Sequence, residues 1–182
     1  MSPILGIWSS QNYIRENNSY ESIATITVGS GGAADVTFTS VPSTYKHLQI
    51  RAMASGGSSG GYSCFMQFNS DSGSNYSYHG IRGDGSSAAA LAASNSTYAY
   101  VGTGQTITNG FAGFVIDILE YKNTNIYKTT RALAGGDANG SGYMALGSGN
   151  WRNTQAVDTI KLTNNNGNWN QYSSFALYGI KG

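Results

Sequence analysis

Apolar and polar residues alternate one by one along much of this chain, and this period of two constrains its fold more than any other feature. Clear examples are residues 23–28, 36–39 and 48–53. Successive side chains of a β-strand point to opposite faces, so the alternation is typical of strands with one buried face. Further strands, each bounded by Gly, Asn or Ser, are predicted at 62–69, 76–82, 97–101, 111–121, 126–134, 142–147, 156–163 and 173–180.

No segment has the apolar spacing of a helix. The best helical composition, SSAAALAAS at 86–94, covers only nine residues, so we predict a loop there with at most one helical turn. Many short strands without helices indicate an all-β protein. We therefore predict an antiparallel β-sandwich domain over residues 20–182.

The first part of the sequence differs from the rest. Residues 1–19 carry apolar side chains on a polar stretch for which no partner strand is predicted. We predict an extended N-terminal arm that reaches a neighbouring molecule. Its candidate interface residues are Pro3, Ile4, Leu5, Ile7 and Trp8.

Ionic groups are scarce. Asp, Glu, Lys and Arg make up 10% of the 182 residues, against about 25% in typical soluble domains, and the formal net charge is +1. Without a charged field or a basic cluster we expect no nucleic-acid partner and no membrane partner. Cys64 is the only cysteine, so an internal disulfide is excluded, and its apolar neighbours predict a buried thiol.

The clearest hairpin is predicted in FVIDILEYKNTNIYKTTRAL. If Tyr121 faces Tyr127 across the Asn-rich turn, the register predicts two cross-strand ion pairs. These are Asp117 with Arg131 and Glu120 with Lys128. Opposite charges on facing strands stabilise a sheet by about 0.2–1 kcal/mol per pair, so we interpret both pairs as structural.

The stretch NSDSGSNYSYHG at 69–80 resembles a calcium-binding loop, because Asn69 and Asp71 precede a glycine. An EF-hand loop needs an acidic twelfth residue, and Gly80 stands at that position. Asp-Ser-Gly and Ser-Asn are also favoured turn residues. We therefore predict a hairpin turn, with an ion site as the alternative.

No catalytic constellation is predicted. Ser59 matches the pattern G-x-S-x-G, but a nucleophile elbow needs a helix to follow, and a strand is predicted instead. His47 and His79 lie in strand patterns and are interpreted as packed or surface side chains. No acidic pair stands out for glycoside hydrolysis. We expect no catalytic residue, no metal and no cofactor.

Two tryptophans lie among asparagines in GNWNQY and SGNWRN. Aromatic rings in such loops can stack on sugars or bind a protein partner, in which Trp and Arg are enriched. The interpretation that we prefer is that each tryptophan ring covers an open end of the sandwich. The candidate glycan or interface residues are Trp151, Arg152, Trp169 and Tyr172.

Sheet edges are usually protected by lysine, proline or bulges, and this chain has only two prolines and few lysines. A symmetric assembly would hide such edges. We therefore expect a homo-oligomer, most simply a homotrimer.

Four stretches carry a resemblance to known proteins: YESIATITVGSGGAADVTFTSVPSTYKHLQIR, FNSDSGSNYSYHGIRGDGSS, IDILEYKNTNIYKTTRAL and SSFALYGIKG. They resemble small virion proteins of tailed bacteriophages, notably cyanobacterial and marine phages. The resemblance implies a jelly-roll-like β-sandwich on the outer surface of the virion. It also implies binding to the major capsid protein or another virion protein.

The place within the virion follows from architecture. A tail fibre usually needs a shaft of repeats or a coiled coil, and this chain has neither heptads nor an internal repeat. A compact domain with one apolar arm favours a capsid decoration (cement) protein. The alternatives are a tail fibre or other tail component, a carbohydrate-binding module that recognises a host glycan, and a polysaccharide-degrading enzyme.

Overall fold

The computed structural model describes residues 19–182. Among these residues there are twelve strands and no helix. The strands are β1 (Tyr20–Thr27), β2 (Asp35–Phe38), β3 (His47–Ala54), β4 (Gly61–Phe68), β5 (Tyr76–Gly83), β6 (Ala88–Ser96), β7 (Ala99–Gln105), β8 (Ala112–Leu119), β9 (Lys128–Asp137), β10 (Gly142–Trp151), β11 (Ile160–Asn164) and β12 (Ser174–Ile180). The predicted contact residues Pro3, Ile4, Leu5, Ile7 and Trp8 lie outside the described residues.

The strands form two antiparallel sheets of unequal size. The large sheet has eight strands in the order β1-β12-β3-β8-β9-β10-β5-β6, and the small sheet has four in the order β2-β11-β4-β7. Their apolar faces enclose one core, so the predicted all-β antiparallel sandwich is confirmed. No helix of the described part of the chain is long and apolar enough to cross a membrane.

Alternation along single strands explains how the sheets stack. In β9 the residues at 128, 130, 132 and 134 are buried, whereas those at 129, 131 and 133 are exposed. The small sheet contributes Met66, Phe68 and Leu162 to the core, all without exposed surface. Cys64 is also buried, as predicted, and burial raises the pKa of its thiol.

Both ends of the described chain lie at one edge of the large sheet. Tyr20 of β1 is opposite Ile180 of β12, and the backbone N–H of Lys181 donates to the carbonyl of Ser19. The Lys181 ammonium also forms an ion pair with the Glu21 carboxylate. β6 forms the opposite edge of the same sheet.

The loop predicted at 86–94 is wrong, because residues 88–96 form strand β6. β6 pairs antiparallel with β5, where Ala88 lies opposite Gly83 and Ala93 lies opposite Tyr78. Alanine favours helices and is depleted in strands, so its local preference misleads here. Pairing with β5 overrides that preference.

The turn predicted at 69–80 is present, but the predicted hairpin is wrong. β4 lies in the small sheet and β5 in the large sheet, so the turn carries the chain from one sheet to the other. Asn69 and Ser70 have positive φ values of 50° and 56°, which bend the chain sharply. The sequence shows a turn, but it does not show which strand each flanking segment pairs with.

The predicted ion pair between Asp117 and Arg131 is confirmed. The two residues are directly opposite in the β8–β9 ladder, and the Arg131 Nη2 atom lies 2.9 Å from Asp117 Oδ2. Asp117 also accepts a hydrogen bond of 2.8 Å from Gln49 Nε2. The carboxylate therefore has two partners on adjacent strands.

The predicted pair between Glu120 and Lys128 is wrong. β8 ends at Leu119, and Glu120 has a φ of 49°, so its side chain leaves the ladder before it can face Lys128. The nearest cation to Glu120 is Lys46, at 3.9 Å. Lys128 is fully buried, and its ammonium donates instead to the carbonyls of Asn123, Ile126 and Thr154 at 2.6, 2.9 and 3.1 Å.

Candidate docking surface

The outer face of the large sheet carries a continuous row of aliphatic side chains. Val115 of β8 lies opposite Leu133 of β9, Leu133 opposite Leu146 of β10, and Leu146 opposite Ile81 of β5. These side chains are 39%, 50%, 48% and 60% exposed, respectively. We call these four residues the apolar row. Side chains directly opposite on adjacent strands touch, so the row is one contiguous surface.

The two ends of the apolar row differ in chemistry. At the β3 end Val115 is opposite Arg51, and at the β6 end Ile81 is opposite Ala90. The Arg51 guanidinium lies over the rings of Tyr20 and Tyr178, 5.6 and 5.7 Å from their centroids. Such cation–π contacts hold the cation in place. The row therefore has a charged end and an end that stops at an edge strand.

A shallow depression runs along one side of the apolar row. Here the cross-strand order is Met53, Gly113, Gly135, Met144, and the two methionines are 62% and 63% exposed. The surface is open over Gly113, whereas the Met144 side chain lies over Gly135. The open depression has a volume of about 1050 Å³ and is lined by Leu133 and Met144 among others. Methionine adapts its shape easily, which suits a contact surface.

The other side of the apolar row is polar. Gln49, Asp117, Arg131, Ser148 and His79 lie opposite one another in that order on successive strands. Asp117 joins Gln49 and Arg131 through the hydrogen bonds described above. Apolar contact beside fixed polar groups is the usual organisation of a protein interface.

The possible role of Trp151 and Trp169 in sugar stacking is excluded, since both side chains are fully buried. The Trp169 indole packs edge-on against Tyr62 and Phe175, and its N–H donates to the carbonyl of Leu162 at 3.2 Å. A ring with no exposed face cannot stack on a sugar. The preferred interpretation, in which the tryptophans cover the sandwich, agrees with this burial.

Arg152 and Tyr172, unlike the two tryptophans, lie on the surface. The Arg152 guanidinium donates to the carbonyl of Ser74 at 2.6 Å and to Asn95 Oδ1 at 2.7 Å. Tyr172 is 68% exposed and has a φ of 70°. The predicted contact of these two residues with a glycan or a protein stays a prediction.

Asp71, the suspected calcium ligand, stabilises the turn and the core. Its carboxylate accepts hydrogen bonds from the Trp151 indole N–H at 2.7 Å, the Gly73 backbone N–H at 2.8 Å and the Asn75 amide. Burial raises the pKa of Asp71, but these hydrogen bonds outweigh it and hold the pKa below its ordinary value. Among residues 19–182, no group of three or more His, Cys, Asp and Glu side chains could hold a metal ion.

The residues considered above as candidates for catalysis form structural contacts or lie on the surface. His47 accepts a hydrogen bond of 3.0 Å at Nδ1 from the backbone N–H of Glu120. The Ser59 carbonyl accepts one of 2.8 Å from Asn166, and strand β4 follows, as predicted. His79 is exposed at the polar side of the apolar row.

The chain matches no family model, no curated protein and no solved structure. Its function is therefore inferred from the outer face of the large sheet. The apolar row was not predicted from the sequence. Its signal was present in FVIDIL and MALGS, where aliphatic residues occupy both alternating positions and one of the two faces must leave them exposed.

Proposed function

We propose that this protein is a structural component of a bacteriophage virion, a capsid decoration protein that stabilises the head by binding between capsomers. Two observations support the proposal. The phage-like stretches quoted above extend over much of the chain from residue 20. The apolar row provides a surface suited to tight contact with another protein.

The apolar row is the observation that carries the proposal. Complete burial of an aliphatic side chain is worth about 1.5–3 kcal/mol, and each of the four side chains is about half exposed. Covering the row is therefore worth about 3–6 kcal/mol before the cost of association. Occupied junctions resist expansion of the shell, because separation of the capsomers must also break these contacts.

The scarcity of charge fits a binding role of this kind. Ionic groups are depleted at the centres of protein interfaces, since each one must lose its water on burial. The apolar row itself contains no charged residue, and the nearest charged groups, Arg51, Asp117 and Arg131, are held by contacts within the same protein. The partner surface that fits is apolar along a strip, with hydrogen-bonding groups beside it.

Polar substitution in the apolar row tests the proposal. The double variant Leu133→Asn with Leu146→Asn removes two half-exposed leucines from the row and should weaken binding by about 1.5–3 kcal/mol. At subsaturating concentration this corresponds to a decrease of about 10–100-fold in occupancy. Occupancy is measured by sedimentation with purified phage heads that lack this protein. Ile126→Asn is the matched control, because Ile126 is 46% exposed and lies outside the row. Unchanged occupancy of the folded double variant would refute a role for the row.

Deletion of residues 1–15 tests the predicted arm separately. We expect the truncated chain to keep its sandwich, since all twelve strands lie within residues 20–180. Attachment to the head is expected to weaken, because the apolar residues Ile4, Leu5, Ile7 and Trp8 are lost. Equal occupancy of truncated and complete chains would exclude the arm from the attachment.

A further inference from the structure

The two sheets have four edge strands, and three of them are protected. β7 is buried along its whole length, because it packs against β9 and β10 of the large sheet. β2 has only four residues. β1 contains a bulge between Ser22 and Ala24 and carries Glu21, which is paired with Lys181. Burial, shortness, bulges and charges are the usual means by which proteins prevent pairing at an edge.

β6 has only one of these protections, a bulge at its C-terminal end, where the ladder with β5 shifts register between Ala93 and Ser96 and Asn95 has a φ of 56°. Its nine residues, AAALAASNS, include no charged residue and no proline, and none of them is buried. On one side β6 pairs with β5 through a regular ladder from Ala88 to Ala93. On its other side no strand of residues 19–182 pairs with it. Alternate backbone N–H and C=O groups of β6 are therefore open to another strand.

Charges at the two ends of β6 favour one orientation of a partner. The Asp84 carboxylate lies in the turn before β6 and accepts hydrogen bonds from the backbone N–H groups of Ser86 and Ser87. At the other end Asn95 accepts a hydrogen bond from the Arg152 guanidinium. If two copies of β6 pair antiparallel, the acidic end of each lies beside the basic end of the other. Parallel pairing would place like charges together.

We propose that β6 pairs antiparallel with β6 of a second copy, around a two-fold axis at Ala90, so that the two eight-stranded sheets become one continuous sheet. With Ala90 opposite Ala90, Ala88 of each copy lies opposite Ala92 of the other, so the pairing uses the regular part of β6 and ends before its bulge. Isologous contacts of this kind are the commonest in homo-oligomers. The pairing also joins the apolar rows of the two copies end to end, because Ala90 on β6 lies directly opposite Ile81, the last residue of the row.

This inference does not rest on the proposed virion role, and it replaces the three-fold assembly expected from the sequence with a two-fold one. Light scattering at micromolar concentration should give a mass of about 38 kDa, twice the 19.2 kDa of one chain. A mass of 19.2 kDa or of three chains would overturn the proposal.

Charge substitution at Ala90 tests the register. Ala90→Lys and Ala90→Glu each place like charges face to face across the axis, so each variant alone should dimerise at least about tenfold more weakly. An equimolar mixture of the two should recover the dimer, because lysine then faces glutamate. Failure of the mixture to recover it, with both variants folded by circular dichroism, would overturn the proposed pairing.

Ser148→Lys is the matched control, because Ser148 lies on the same outer face but on β10, away from the edge. The mass of the Ser148→Lys assembly in solution should equal that of the parent dimer. Hydrogen exchange gives a second measurement. Alternate amides between Ala88 and Ser94 should exchange more slowly in the parent dimer than in the separate charged variants, and equal exchange would count against strand pairing.

Discussion

Asp71 connects the turn between the two sheets to the buried Trp151, and we expect Asp71→Ala to destabilise the whole sandwich. Trp151 has no exposed surface, and its indole N–H donates to Asp71 Oδ2 at 2.7 Å. The ring also lies within 5.4 Å of Phe68 and 6.3 Å of Tyr76, measured between ring centroids. The Asp71 carboxylate therefore hydrogen-bonds both to the last residue of β10 and to the segment that links β4 to β5.

The magnitude follows from the donors that lose their partner. A buried N–H group left unsatisfied costs about 1–3 kcal/mol. The bonds from Gly73 and Asn75 are exposed and add less, since water replaces them in part. We expect a total loss of about 2–3 kcal/mol in the free energy of unfolding. For a chain of this size that corresponds to a fall in Tm of about 4–12 °C.

Urea unfolding followed by tryptophan fluorescence measures the loss, and a double-mutant cycle assigns it to one contact. Trp151→Phe removes the indole N–H, so Asp71→Ala should cost about 1–2 kcal/mol less in that background than in the parent. The control is Asp35→Ala, because Asp35 is exposed and, within residues 19–182, its side chain hydrogen-bonds only to the Thr37 hydroxyl. That substitution should change stability by less than about 0.5 kcal/mol. If Asp71→Ala and Asp35→Ala have equal effects, or if the cycle shows no coupling, the reasoning is refuted.

Three further predictions concern buried polar groups. Lys128→Ala leaves the three carbonyls that accept hydrogen bonds from its ammonium without a donor. Urea unfolding should therefore show a loss of about 3 kcal/mol in the free energy of unfolding, and a loss below about 1 kcal/mol would contradict the described contacts. Desolvation raises the pKa of Tyr62 and Tyr76, so the folded state keeps protons that the unfolded state releases above pH 10. Stability should therefore be complete below pH 10 and fall above it, and absorbance at 295 nm should show these phenols ionising together with unfolding instead of before it. Calcium should leave Tm unchanged, because both Asp71 oxygens already accept hydrogen bonds; a rise that saturates with calcium would contradict this.

Most strands follow from alternation alone, since one face of each strand must be buried. The register of β8 and β9 also followed from the sequence, because opposite charges at Asp117 and Arg131 could be paired by counting back from the turn. The same count failed three residues closer to the turn, at Glu120 and Lys128. Glu120 there has a positive φ, and a register does not reveal where a turn twists the backbone out of the ladder.

The candidate surface was harder to predict, because it depends on which strands become neighbours. Val115, Leu133, Leu146 and Ile81 are separated by up to 65 positions in the sequence, and only the β8-β9-β10-β5 order brings them into one row. The asparagine-rich surroundings of the tryptophans predict loops, but Trp151 is the last residue of β10 and Trp169 forms β-bridges with Ala33 and Gly56. Both rings are fully buried, as the interpretation preferred from the sequence requires.

The position of the two chain ends has a practical consequence for imaging. Ser19 and Lys181 hydrogen-bond to each other at the β1 edge, seven strand spacings from β6, which is about 34 Å at the usual 4.8 Å per strand. A tag or a gold particle attached after residue 182 would sit beside β1, clear of β6. The vector from such a label to the centre of the subunit would reveal which way each molecule is oriented on a particle, even in images too coarse to resolve strands.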